Sequence, residues 1–260
     1  MAEPIRFQNG AQYDEFMGQW SRFAGELFLQ WLAPARDLKW ADIGCGNGAF
    51  TQMLIEHVAA ASIDGVDPSP EQIEFARSSS AGQIAHFQQG NAMALPFANA
   101  SFDAAVMALV LFFVPDPAKG VAEMCRVVRP GGSVSAYTWD ILEGGFPYDA
   151  LFDGLNTYGI EPILPPSSPA SRMEATLDLW NSAGLQDIET KVISVHRTFG
   201  TFEEYWRLAN FAPGLSAKLE SLAPEARDVL ITFVRQRLGA DQGTFQVTAR
   251  ANAIKGKLPS

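Results

Sequence analysis

The chain is 260 residues long, enough for one full hydrophobic core with a modest elaboration. A composition of 47% hydrophobic and 18% charged residues is that of a globular protein and excludes a disordered one. A net charge of −10, a pI near 4.8 and the lack of any Lys/Arg run argue against nucleic acid or anionic lipid as a partner.

In chain order, Tyr13 to Leu32 reads as a helix, with Phe16, Trp20, Phe23, Leu27 and Trp31 at spacings of three and four, ended by Pro34. Leu38 to Ile43 follows as a short strand broken by Gly44-Cys45-Gly46-Asn47-Gly48, then a helix from Ala49 to Val58. Ser62 to Asp67 is a strand, and Ser69 caps a helix with Pro70 at its first position. Ile84 to Phe87 is a weaker strand; Phe102 to Ala108 is apolar after Asp103, as a central parallel strand should be. Ala118 to Val128 forms an amphipathic helix, Arg129-Pro130-Gly131-Gly132 turns the chain, and Ser133 to Trp139 is the next strand. This alternation predicts an α/β fold, a doubly wound and mainly parallel sheet with helices on both faces.

Beyond Trp139 the texture changes. Glu143 to Pro169, rich in Gly, Pro and aromatics, predicts covering loops and short helices. Arg172 to Ala183 is a helix stopped by Gly184, and Ile188 to His196 a strand. Thr201 to Leu238 holds two or three helices, and Phe245 to Ala253 alternates as an edge or near-edge strand. The expected organisation is one domain: N-terminal helices over 1–36, a core over 37–140, then the rest of the sheet with cap insertions near 141–170 and 198–242.

The opening residues, Met-Ala-Glu-Pro-Ile-Arg, lack a basic-then-apolar pattern, and the longest apolar run, Ala104 to Val114, has 11 residues. Neither a secretory leader nor membrane insertion is expected, and a cytoplasmic location is. Cys45 and Cys125 make no metal spacing or disulfide framework, and His57, His86 and His196 are scattered, so no metal is expected.

The chemistry concentrates where the first strand meets its helix. Three glycines in five residues let the backbone turn tightly and let a ligand lie against bare peptide at a helix N-terminus. Asp67 comes 23 residues after Gly44, at the end of the second strand, where a carboxylate accepts bonds from vicinal ribose hydroxyls. Together these predict a nucleoside-binding site. Gly44-Cys45-Gly46-Asn47-Gly48-Ala49 also satisfies the loose G-x-G-x-x-G/A pattern, which leaves a nicotinamide dinucleotide open.

Four motifs carry a resemblance. Asp42-x-Gly44-x-Gly46-x-Gly48 resembles the first motif of class I S-adenosylmethionine-dependent methyltransferases, and Val66-Asp67-Pro68-Ser69 their second. Gly90-Asn91-Ala92-x-x-Leu95-Pro96-Phe97 with Ser101-Phe102-Asp103 is similar to the third, and Arg126 to Gly132 to the turn before the fifth strand. Order and spacing resemble the ubiquinone/menaquinone-biosynthesis-like small-molecule methyltransferases over residues 13 to 140; from 141 onward only the layout agrees. The resemblance implies a Rossmann-like seven-stranded sheet with the last strand antiparallel and a helical cap, and S-adenosylmethionine as cofactor with S-adenosylhomocysteine as product.

It also implies roles. Tyr13, Trp20 and Ser21 would belong to a cofactor-covering helix. Asp42, Gly44, Cys45 and Gly46 would face the methionine moiety, Asp67 the ribose, and Pro68 the adenine, with Asn91, Ala92 and Met93 at the adenine edge. Many relatives have Asp at position 91, so the bond there changes donor sense. Leu109 and Val110 would border the sulfonium. Where many relatives place a histidine pair, this chain has Phe112-Phe113, which either touch a hydrophobic acceptor or pack the next helix. Trp139 and Tyr205 are further candidates for the acceptor pocket. No catalytic residue is assigned, because aligning and desolvating an activated methyl group needs none; Asp140 is read as a loop residue before a base. The expected partner is a small acceptor. A nicotinamide oxidoreductase and a non-catalytic cofactor-binding module are the alternatives.

Overall fold

The computed structural model describes residues 14–212 and 215–260. Its strands are β1 (Lys39–Ile43), β2 (Ser62–Asp67), β3 (His86–Gln89), β4 (Phe102–Ala108), β5 (Val128–Trp139), β6 (Gln186–Phe199) and β7 (Phe245–Lys257). They form one sheet in the order β3-β2-β1-β4-β5-β7-β6. The pairings among β1 to β5 are all parallel, whereas β7 lies antiparallel between β5 and β6. The last strand is therefore near the edge, with β6 outside it.

Nine α-helices are seen among the described residues: α1 (Gln19–Leu32), α2 (Ala49–His57), α3 (Pro70–Ser78), α4 (Pro117–Val127), α5 (Asp149–Thr157), α6 (Met173–Ser182), α7 (Phe202–Ala209), α8 (Leu215–Glu220) and α9 (Pro224–Arg237). None is long and apolar enough to cross a membrane. Strand alternation divides the core between the two faces of the sheet. Trp40, Val106, Tyr137 and Ala251 join one buried cluster with α1 and α2, while Ala41, Met107, Ala136 and Ile254 join another with α4 and Trp180 of α6.

Four sequence expectations shift. In α1 the buried side is Trp20, Ala24, Gly25, Phe28, Leu29 and Leu32, and Leu27 is exposed. The smallest residues set this face, not the largest: a Cβ on Gly25 would stand 2.6 Å from Met53 Cε of α2 and 3.1 Å from the Tyr137 hydroxyl. A π-helical turn over Asp14–Gly18 precedes α1 and turns Phe16 and Met17 into the core. The Arg129–Gly132 turn is absorbed into β5, where pairing with β4 jumps from Val128 to Ser133 around Gly131 at φ +75°. The weak third strand begins two residues later than expected, at His86.

The sheet order makes a switch point. From β1 the chain builds β2 and β3 on one flank, then returns so that β4 pairs with the other flank of β1. Open α/β sheets bind ligands at the strand carboxyl ends beside such a point. Ile43 ends β1 there and Ala108 ends β4.

Candidate active site

The loop from Gly44 to Gly48 sits at this switch point, with Gly44, Gly46 and Gly48 at φ +75°, +53° and +86°. L-residues with a Cβ avoid that region, so glycine is required by the backbone path. At Gly44 space is also lacking: a Cβ would lie 2.5 Å from Val110 Cγ1. The loop thus rests directly on the exit of β4, where Leu109 is itself held at φ +61° with its amide on the Tyr137 carbonyl. The amides of Gly44 and Cys45 both donate to the Val66 carbonyl of β2, at 2.7 and 3.1 Å.

Two carboxyl groups flank this loop. Asp67 accepts from the Gly46 amide at 3.0 Å through Oδ2 and from the Ser69 amide at 2.9 Å through Oδ1. Each oxygen keeps a second lone pair for a ligand hydroxyl. Asp42 lies beneath the loop, 1% exposed; its Oδ2 accepts from Thr51 Oγ1 of α2 at 2.6 Å, and Oδ1 has no partner among the described residues. Burial pushes the Asp42 carboxyl up to about 7, the Thr51 bond opposing and the charge of Asp67 adding to the rise. Burial also raises Asp67 against its two amide bonds, and drives the thiol of Cys45 far up, helped by Asp42 and Asp67. The site concentrates negative charge in a poorly solvated place, an environment that favours a cationic ligand.

Past β3, Asn91 makes a local turn, its Oδ1 accepting from the Met93 amide at 2.8 Å and its carbonyl from the Ala94 amide. Ala92 and Met93 are half-buried beside it and Pro68 is exposed. Asp42, Gly44, Cys45, Gly46, Asp67, Pro68, Asn91, Ala92, Met93 and Leu109 thus occupy the carboxyl-terminal side of β1 to β4 together. Trp20 is fully buried near Phe199 of β6, with Ser21 half-buried next to it, and Tyr13 lies outside the described residues.

Leu109 also opens a second space. A cavity of about 760 Å³, open mouth included, has Leu109, Phe112, Phe113 and Trp139 as its sheet-side wall. The π-turn adds Phe16 and Met17, and the region after β5 adds Ile141, Phe146, Phe152 and Leu155. Pro162 to Pro165 forms a lip, with Ala212 and Lys218 alongside. The lip is fastened down, since the Ser167 amide donates to the Phe112 carbonyl at 3.0 Å and its hydroxyl to the Val114 carbonyl at 2.8 Å. Tyr148 ties α5 to the N-terminal turn, stacked on Phe16 at 4.7 Å and donating to the Phe16 carbonyl at 2.9 Å.

Of the acceptor-side candidates, Phe112, Phe113 and Trp139 line this cavity. Tyr205 does not: it is enclosed by Tyr148, Phe199, Phe202 and Phe245. Asp140 is buried behind the wall, paired with Arg250 at 2.9 Å, and serves to fix the loop after β5. Phe16, Met17 and the lip were not among the sequence candidates; Phe16 and Met17 do stand between Tyr13 and Trp20 of the expected cofactor-covering helix, and Pro162 with Pro165 is a turn signal. Thr51 and Lys218 carry no signal in sequence.

Comparison with known proteins finds similarity in sequence and in fold. Residues 41–136 match a family described as methyltransferase domain. An O-methyltransferase of Penicillium expansum is 39% identical over 105 residues, 38% of this chain and 37% of that protein. A demethylmenaquinone methyltransferase of Desulfitobacterium hafniense is 42% identical over 98 residues, 36% of this chain and 39% of that protein. The chain thus spans about two fifths of the length of these relatives. Phosphoethanolamine N-methyltransferase 2 of Haemonchus contortus, solved with S-adenosylhomocysteine, shares the fold with TM-score 0.61 at 17% identity, over 96% of this chain and 57% of that one. Residues 41–136, from the middle of β1 into β5, are thus similar to a methyltransferase domain, and the chain as a whole shares the fold of a solved methyltransferase.

Proposed function

We propose that the chain moves the methyl group of S-adenosylmethionine to a small apolar acceptor held in the cavity beside Leu109. The observation that carries this reading is Asp42, a carboxyl buried under the glycine loop with one oxygen unpartnered among the described residues. A pyrophosphate on this loop would meet that charge and be repelled, which argues against a nicotinamide dinucleotide. An ammonium meets an attractive charge in a place of low dielectric. The glycine cradle and Asp67 fit the rest of such a molecule, a peptide-lined turn for its chain and two free lone pairs for ribose hydroxyls.

When bound, S-adenosylmethionine supplies a methyl carbon on a sulfonium, already polarised for displacement. The chain's own residues then do three things. Asp42, the loop backbone and Asp67 hold one partner in register. Phe112, Phe113 and Trp139 hold the other and keep water out. Leu109, pinned at positive φ between the loop and the cavity, sets the approach. These are alignment and desolvation. We read the chain as one domain, with the segments after Trp139 as the acceptor-binding cap. The O-methyltransferase and demethylmenaquinone methyltransferase relatives support a small acceptor.

Titration calorimetry with S-adenosylhomocysteine and with NADH tests the cofactor. We expect binding of the first only, and the reverse result overturns the reading. A labelled-methyl transfer screen over phenols, quinols, amines and small acids then tests activity; no transfer with the cofactor bound favours a non-catalytic module.

A further inference from the structure

Among the described lining residues, only Trp139 and Lys218 of α8 carry a nitrogen in the side chain. The Trp139 indole is neutral. Lys218 is the one ionisable side chain among the described lining residues, and it lacks the carboxylate partner that most cations of the cap have. Arg197, Arg207, Arg235 and Arg237 each pair with a carboxylate, of Glu204, Glu15, Glu203 and Asp153. Lys218 donates instead to the main-chain carbonyl of Glu161, and no described carboxylate stands within ion-pair distance of it. A carbonyl satisfies a donor but cancels no charge. In a chain of net charge −10, an uncancelled cation beside an apolar cavity is a recognition element for an anion.

The rest of the wall points the same way. Among the described lining residues none offers a carboxylate, imidazole or hydroxyl to take a proton from an acceptor. An acceptor that arrives ionised needs no such base, and Lys218 attracts that form. We propose that the acceptor is an apolar acid, a molecule with an aromatic or branched hydrocarbon body and one anionic oxygen. The body fills the space between Phe112, Trp139 and Phe152, and the oxygen pairs with Lys218. This rests on the methyltransferase reading and narrows it by charge, with Lys218 as a specificity-determining residue.

The test uses two fluorescent twins, 8-anilinonaphthalene-1-sulfonate and neutral N-phenyl-1-naphthylamine, titrated into the full chain with excess S-adenosylhomocysteine. The wild type should bind the anion about tenfold tighter than its twin. Lys218→Met should erase that preference by weakening the anion alone, Lys218→Arg should keep it, and Ala212→Trp, which fills the cavity, should lose both. The inference is overturned by equal affinity for the twins in the wild type, by no binding of either, by Lys218→Met weakening both alike, or by the anion persisting in Ala212→Trp. Calorimetry of S-adenosylhomocysteine on the same samples separates the two readings. No cofactor binding sinks the methyltransferase assignment itself, whereas cofactor binding without the charge preference sinks only the anionic acceptor.

Discussion

The Gly46 amide donates to Asp67 Oδ2 at 3.0 Å, so the glycine loop and the acid of the neighbouring strand are joined before any ligand arrives. The Ser69 amide, on the other oxygen, completes the support. Asp67→Ala removes the ribose acceptor and the tether together, and should weaken S-adenosylhomocysteine by roughly 2–3 kcal/mol in calorimetry. Asp67→Asn should also weaken it, because its new NH2 must face one of these two amide donors. Unchanged affinity in the alanine variant would refute the ribose assignment.

Asp42 predicts a pH dependence. Burial, opposed by the Thr51 bond and reinforced by Asp67, lifts its carboxyl from 3.8 to about 7 in the cofactor-free chain. Between those values the folded state keeps a proton that the unfolded state has released. Stability therefore falls as pH rises through this window, by about 1.4 kcal/mol per unit at the steepest, and levels off above it. Asp67, raised by burial too, pushes the same way. Urea unfolding of wild type and Asp42→Asn across pH 4 to 8 isolates the share of Asp42, since the variant should show the shallower decline; parallel curves would remove Asp42 as the cause. An ammonium favours the ionised carboxyl, so cofactor affinity should climb toward pH 7 in the wild type and proton release should accompany binding.

The glycines of the loop differ in what they forbid. At Gly44 a side chain meets both positive φ and Val110 Cγ1 at 2.5 Å, whereas at Gly46 it meets positive φ with nothing within 4 Å. Gly44→Ala should cost about 2–4 kcal/mol of stability, from backbone strain plus displacement of the β4 exit. Gly46→Ala should cost about 1 kcal/mol and show its main effect on cofactor binding, where bare backbone is needed. Equal losses in thermal melts of the two variants would contradict this division.

What the sequence revealed, and what it concealed, follows from where the determining contacts lie. The bounds of β2 and β4 were readable because β2 stops at the Asp67-Pro68 turn signal and β4 begins at the apolar stretch after Ser101. The loop and Asp67 were readable because a strand, a tight turn and a helix fix their spacing along the chain. The inward side of α1 was not, since Gly25 decides it by admitting Met53, a contact between two helices. The cavity was readable only on its sheet side. Its other wall is gathered from the π-turn, α5, the 162–165 lip and α8, segments brought together by packing. Lys218 is one charged residue among many until the fold sets it beside the Glu161 carbonyl and on the cavity lining.

Tyr205 and Phe112 give the last contrast, since both are buried aromatics and only one faces the cavity. The Tyr205 hydroxyl is buried with no partner among the described residues. Such a group carries a desolvation penalty of about 1–3 kcal/mol, so Tyr205→Phe should leave the chain as stable or up to about 1 kcal/mol more stable. It should also leave cavity binding alone, because the ring keeps its packing against Tyr148 and Phe199. Phe112→Leu exchanges a wall residue without emptying the core, and should shift the affinity for N-phenyl-1-naphthylamine severalfold while S-adenosylhomocysteine binds as before. If Tyr205→Phe moved probe affinity and Phe112→Leu did not, the cavity beside Leu109 would not be where an apolar ligand sits, and the acceptor would have to be sought deeper in the cap.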